Sequence, residues 1–195
     1  MTHCGAKRAA LAGAVLAAIL LAGCGGGNPV NTGPFGGSNY IGESTCSLPI
    51  PQHGVFTTEP LAFRNAGPTA TIDKLSFTHI HGLRLLGAYT VPVTGQGGGY
   101  GDRAGPPPPQ RDLPPGVLWS RRQRADGARI PPTPPKPAEV DLVLATQLTS
   151  ATGTFSGIDL YYHTSGGQYH MHVDRAVTLR TKKWQPCPSS PGSAG

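Results

Sequence analysis

From about residue 52 onward, apolar residues recur at every second position in short runs that end at glycine or proline, the pattern of strands with one face on a core. Val55 to Phe63 is the first run, and Pro60, which has no N–H to give to a ladder, marks it as an edge strand. Ala70 to Thr78 sets Leu75 and Phe77 on one face and Ser76 and Thr78 on the other. Leu83 to Val91 gathers Leu83, Leu85, Tyr89 and Val91 on one side, with His79-Ile80-His81-Gly82 as the turn before it. The alternation stops after Pro92 and returns at Glu139, where Val140, Leu142, Leu144 and Leu148 alternate with Asp141, Val143, Ala145 and Gln147, a half-buried strand. Ile158 to His163 and Tyr169 to Val173 flank Gly166-Gly167, a two-residue hairpin turn, and Ala176 to Thr181 closes the set.

Six or seven short strands with Gly/Pro turns predict an all-β fold, an antiparallel β-sandwich of immunoglobulin-like character with a long Gly/Pro-rich loop. The Cys…Trp…Cys spacing of immunoglobulin domains is not reproduced, because the cysteines lie at the ends. The expected organisation is a signal segment at 1–23, a flexible tether at 24–51, one domain at 52–188 and a disordered tail at 189–195. Within the domain, residues 94–138 are expected to be a disordered or extended loop, since eleven of the 21 prolines fall between Pro106 and Pro137. One island in it, Gly116-Val117-Leu118-Trp119-Ser120, has the composition to pack against the body.

The N-terminus has a different pattern. Lys7 and Arg8 precede the uncharged run Ala9–Gly23, which at 15 residues falls short of the roughly 20 needed to span a bilayer and reads as the apolar region of a signal peptide. It ends in Leu21-Ala22-Gly23-Cys24, which resembles the lipobox of bacterial lipoproteins, and the Gly/Pro/Ala-rich chain loosely resembles uncharacterised lipoproteins of high-GC Gram-positive bacteria. That resemblance implies cleavage before Cys24, acylation of its thiol, and a protein held by a lipid anchor on the outer, extracytoplasmic face of the cell membrane.

With Cys4 lost and Cys24 acylated, Cys46 and Cys187 remain, and an oxidising compartment permits a disulfide between them. It would close a loop of about 140 residues, for which chain entropy gives roughly 5 kcal/mol. Free thiols or metal ligands are the alternative.

Histidine is the other chemistry-bearing residue. If Gly166 and Gly167 are the central turn residues, His163 lies opposite His170 and Tyr161 opposite His172. Asp159 shares their outward face, while Leu160, Tyr162, Met171 and Val173 point inward. Imidazoles at that spacing suit zinc or copper, so His163, His170 and His172 are candidate metal ligands; a solvated His-rich sheet face is the plain alternative.

Charge adds one more candidate. The chain carries a net +6, and six arginines and two acids lie between Arg103 and Arg129. Arg121, Arg122 and Arg124 are the densest part and are candidate contacts for an anionic partner: lipid head groups, an anionic envelope polymer or an acidic envelope protein. Outside the cell, nucleic acid is not an expected partner. No G-x-S-x-G, S-x-x-K, P-loop, dinucleotide or H-E-x-x-H motif is present, so the expected role is non-enzymatic binding or scaffolding at the envelope, with metal binding by the hairpin as the alternative.

Overall fold

The computed structural model describes residues 33–36, 43–47, 49–95, 99–134 and 138–182. The signal-like run, Cys24 and Cys187 lie outside these residues. Among the described residues, eleven strands build two packed sheets. The first contains β1 (Phe35–Gly36), β3 (Val55–Asn65), β5 (Leu83–Val93), β6 (Arg103–Ala104), β7 (Gln123–Arg124) and β9 (Glu139–Leu148), in the order β1-β3-β9-β5-β7 with β6 also on β3. The second runs β2-β11-β10-β4-β8, with β2 (Glu43–Cys46), β4 (Ala70–Phe77), β8 (Arg129–Ile130), β10 (Thr152–Thr164) and β11 (Gly167–Arg180). All pairs are antiparallel except β2 with β11. The fold is a β-sandwich.

Alternation explains the packing. Leu61, Phe63, Leu142, Leu144 and Leu148 from one sheet meet Ile72, Phe155, Ile158, Leu160, Tyr162 and Val173 from the other, all buried in one cluster. Each such side chain contributes about 1.5–3 kcal/mol of burial. The chain passes from β4 to β5 by changing sheets, so residues 79–82 form a crossover between layers and not a hairpin turn.

Five expectations are corrected. First, the segment taken as a tether up to residue 51 joins the fold earlier: Phe35 is fully buried and stacks on Tyr162, with centroids 3.9 Å apart and planes 12° apart. Second, Pro60 does not make β3 a simple edge strand. It sits with Glu59 in a bulge between Thr58, opposite Leu144, and Leu61, opposite Leu142, where a missing N–H breaks no ladder bond. Third, Leu83, Leu85, Tyr89 and Val91 do not share one environment. A bulge at Leu86 shifts the register, so Leu83 packs on the main core while Tyr89 and Val91 pack on the opposite side of the sheet.

Fourth, the hairpin turns one residue earlier on each strand. Thr164 pairs with Gly167, so Ser165 and Gly166 are the central residues. The Thr164 hydroxyl accepts from the Gly166 N–H at 2.9 Å. Gly167 takes the positive φ of 149° as the first strand residue. Each strand moves by one residue, so the inward and outward faces keep their members while the partners change.

Fifth, much of the segment 94–138 is structured. Its short strands β6, β7 and β8 extend both sheets, and Val117 bridges Val93. Tyr100, Leu113, Val117 and Trp119 are buried with Val91, Val93 and Val143 in a second apolar cluster. Residues of β9 facing either way are therefore buried, where half-burial was expected.

Candidate functional site

The outer face of β4, β10 and β11 carries the histidines. His170 lies opposite Tyr161, with rings stacked at 4.5 Å, and His172 lies opposite Asp159. Asp159 Oδ1 meets His170 Nε2 at 2.7 Å and His172 Nδ1 at 2.8 Å, and the other nitrogen of His172 meets Asp174 Oδ1 at 3.0 Å. His163 is turned away to Asp73 on β4, 2.7 Å from its Oδ1. Lys74 sits 5.9 Å from the Tyr161 ring centroid.

The three histidines expected to share a metal ion thus do not form one centre. Among the described residues no three His, Cys, Asp or Glu side chains are placed to hold an ion. The reason is local: the true register sets Tyr161, not His163, opposite His170, and a carboxylate, Asp159, opposite His172. The product is a row of histidine–carboxylate pairs on a half-exposed sheet face.

His172 has carboxylates at both ring nitrogens, and only the doubly protonated imidazolium donates to both. Burial works against the charged ring, but the hydrogen bonds and charges of Asp159 and Asp174 outweigh it and move His172 above its ordinary 6.5. Burial likewise pushes Asp159 up, and is outweighed by the hydrogen bonds and charges of His172 and His170, so its carboxyl titrates below the ordinary 3.8. A raised histidine stabilises the fold fully below its unfolded value and loses that contribution as pH rises through its folded value. An NMR titration is therefore expected to place the His172 midpoint above 6.5, and Asp174→Asn is expected to lower it. A midpoint unchanged in Asp174→Asn would remove Asp174 as a cause.

The three arginines separate on inspection. Arg122 lies over the Trp119 ring at 4.6 Å and donates from Nη1 to the Trp119 carbonyl at 3.1 Å, so its guanidinium covers the second core. Arg121 and Arg124 are exposed, and Arg124 borders a cleft with Leu85, Leu86 and Gly87.

A further cluster was missed in the sequence. Glu59 and Asp141, 5% and 0% exposed, lie together beneath the segment 99–105. The Tyr100 N–H donates to Asp141 Oδ2 at 2.8 Å and the Gly101 N–H to Glu59 Oε2 at 2.7 Å. Asp102 Oδ1 accepts from the Thr58 hydroxyl at 2.5 Å and from the Glu59 N–H at 3.2 Å. Burial is the main force raising both acids; the charges of Glu139 and Asp102 add to it at Glu59 and the charge of Glu59 adds to it at Asp141, which is pushed up to about 8. The available signal was an acid inside the apolar run Val140–Leu144, where only a paired or protonated carboxyl is tolerated.

Comparison of the chain with protein families, with curated proteins and with solved structures gives no match. Among the described residues no helix is long and apolar enough to cross a membrane.

Proposed function

We propose that the chain is a lipid-anchored extracytoplasmic lipoprotein with a non-enzymatic binding or scaffolding role at the cell envelope. The observation that carries this reading is the charged start, the uncharged run Ala9–Gly23 and the Leu21-Ala22-Gly23-Cys24 that ends it. The fold adds a constraint. Gly33 is nine residues beyond Cys24 and Phe35 is locked in the core, so the tether reaches at most about 30 Å and the body sits close to the lipid surface. Arg121 and Arg124 are exposed cations able to meet lipid head groups, an anionic polymer or an acidic envelope protein.

The Cys46–Cys187 bridge belongs to the same reading. Its support is the disulfide-bonded state of Cys46 and the course of the chain beside it: β2 runs parallel to β11, with Cys46 opposite Thr178, and Lys182 lies only five residues before Cys187. Expressed in a lipidating bacterium, the protein is expected in the membrane fraction, with a diacylglyceryl-modified Cys24 as its first residue by mass spectrometry. Cys24→Ser is expected to abolish the modification. A native product that keeps residues 1–23 and an unmodified Cys24 would overturn the reading.

A further inference from the structure

The buried acid pair has a geometry that asks for a proton. Asp141 accepts from the Tyr100 N–H through Oδ2, but its Oδ1 is buried without any N–H or O–H donor among the described residues. What lies beside it is the Glu59 carboxyl. Two carboxylates in contact repel each other; one carboxyl and one carboxylate share a hydrogen bond. The charged groups described around the pair include two further acids. β9 also brings Glu139, and the segment above brings Asp102. β5 contributes Val91 opposite Asp141 and Val93 opposite Glu139, both apolar. The cation on the overlying segment, Arg103, lies over the Tyr100 ring at 5.0 Å and donates to the Tyr100 carbonyl at 2.9 Å.

The pair also occupies a mechanical position. Residues 99–105 cross the bulge of β3 as a strap, and two of the strap's hydrogen bonds to the body are the Tyr100 and Gly101 N–H groups on these two carboxyls. Further ties are the antiparallel pairing of Arg103–Ala104 with Phe56–Thr57, Gly105 N–H to the Val55 carbonyl, the Thr57 hydroxyl to the Gly105 carbonyl and the contacts of Asp102. Gly101, with φ 73°, makes the sharp turn that aims its N–H at Glu59. Beneath the strap lies the second apolar cluster, which includes Val91, Val143 and Trp119.

We propose that Glu59 and Asp141 form a pH-sensitive latch, in which one proton shared between them holds the strap 99–105 closed and its loss releases the strap from the second core. The direction follows from linkage. Closure raises both acids, so the closed form binds the proton more tightly than the open one. Closure is strongest below the ordinary carboxyl values. It weakens about tenfold per pH unit as pH rises from there, and is weakest above about 8, where Asp141 has ionised in the closed form. The strap is a separate element from the histidine face and from the lipid anchor, and its opening needs neither.

The test uses the full chain with Trp184→Phe, leaving Trp119 as the single fluorophore of the two tryptophans. From about pH 5 to about pH 9, a range that brackets the titration, the Trp119 emission is expected to shift reversibly to the red. Amide protection at Tyr100 and Gly101 is expected to fall over the same range, with the far-UV CD spectrum unchanged. Asp141→Asn carries no second charge and is expected to hold the strap closed throughout; Glu59→Gln serves the same purpose should that variant not fold. No emission change in the parent chain would overturn the proposal, as would a transition that survives at the same midpoint in either variant.

Discussion

Truncating Asn65 to alanine is expected to lower the unfolding free energy by about 3 kcal/mol, roughly 10 °C in Tm for a domain of this size. Asn65 is fully buried at the end of β3, where the two sheets are tied together. Its Nδ2 donates to the carbonyls of Pro68 at 2.8 Å and Ile130 at 2.9 Å, and its Oδ1 accepts from the Gly67 N–H at 3.0 Å. Alanine leaves all three backbone groups without their partner, each at about 1–3 kcal/mol where water does not reach. The Pro68 and Gly67 groups lie near the surface and recover part of the loss by hydration. The Ile130 carbonyl sits deeper and does not. Asn65→Asp keeps the acceptor but loses both donors and buries a charge, so it is expected to cost at least as much at neutral pH. Urea denaturation of the three proteins measures the series, and a cost below about 1 kcal/mol for Asn65→Ala would show that the side chain does not join the layers.

That side chain was not visible in the pattern that predicted the strands, and the contrast shows what alternation encodes. Leu160, Tyr162, Met171 and Val173 point inward because a strand's side chains alternate whatever its partner, so the faces of β10 and β11 were legible one residue at a time. Pairing is a property of two segments. The register of the same hairpin was offset because the Thr164 hydroxyl and a positive φ at Gly167 selected a turn that two adjacent glycines do not specify. Bulges have the same character. Nothing local marks Leu86 as the extra residue of β5, yet it sends Leu83 to one core and Tyr89 to the other. The site divided likewise. His172 and Asp174 share a face at a spacing of two and could be read together, whereas Asp73 reaches His163 only through the pairing of β4 with β10. Glu59 and Asp141 are 82 residues apart in sequence and meet across a bulge.

The same distinction gives the loop its most demanding test. Proline content argued that residues 94–138 contribute no core apart from the island Gly116–Ser120, which was expected to be able to pack and does; a disordered or extended segment would lose little on losing one indole. In the fold, Trp119 is 8% exposed, meets Tyr89 edge-on at 5.4 Å and Tyr100 at 5.5 Å, and carries Arg122 on its face. Proline removes donors, and here the side chain of Gln110 replaces them, donating to the Val117 carbonyl at 2.6 Å and accepting from the Ser120 N–H at 3.0 Å. Trp119→Ala is therefore expected to cost about 3–5 kcal/mol, the range for a buried aromatic, and to open the segment to trypsin at Arg111, Arg121 and Arg124. Trp119→Phe keeps an aromatic ring against Tyr89 and is expected to lose a smaller part of it. Leu86→Ala, at a side chain 42% exposed, is the control and is expected to cost below about 1 kcal/mol. If Trp119→Ala matched that control in denaturation and in proteolysis, the second core would contribute nothing to stability, and the composition argument for an unstructured loop would stand. A large loss confined to this segment, with the main transition unmoved, would instead make the loop a separately unfolding unit laid over sheet one.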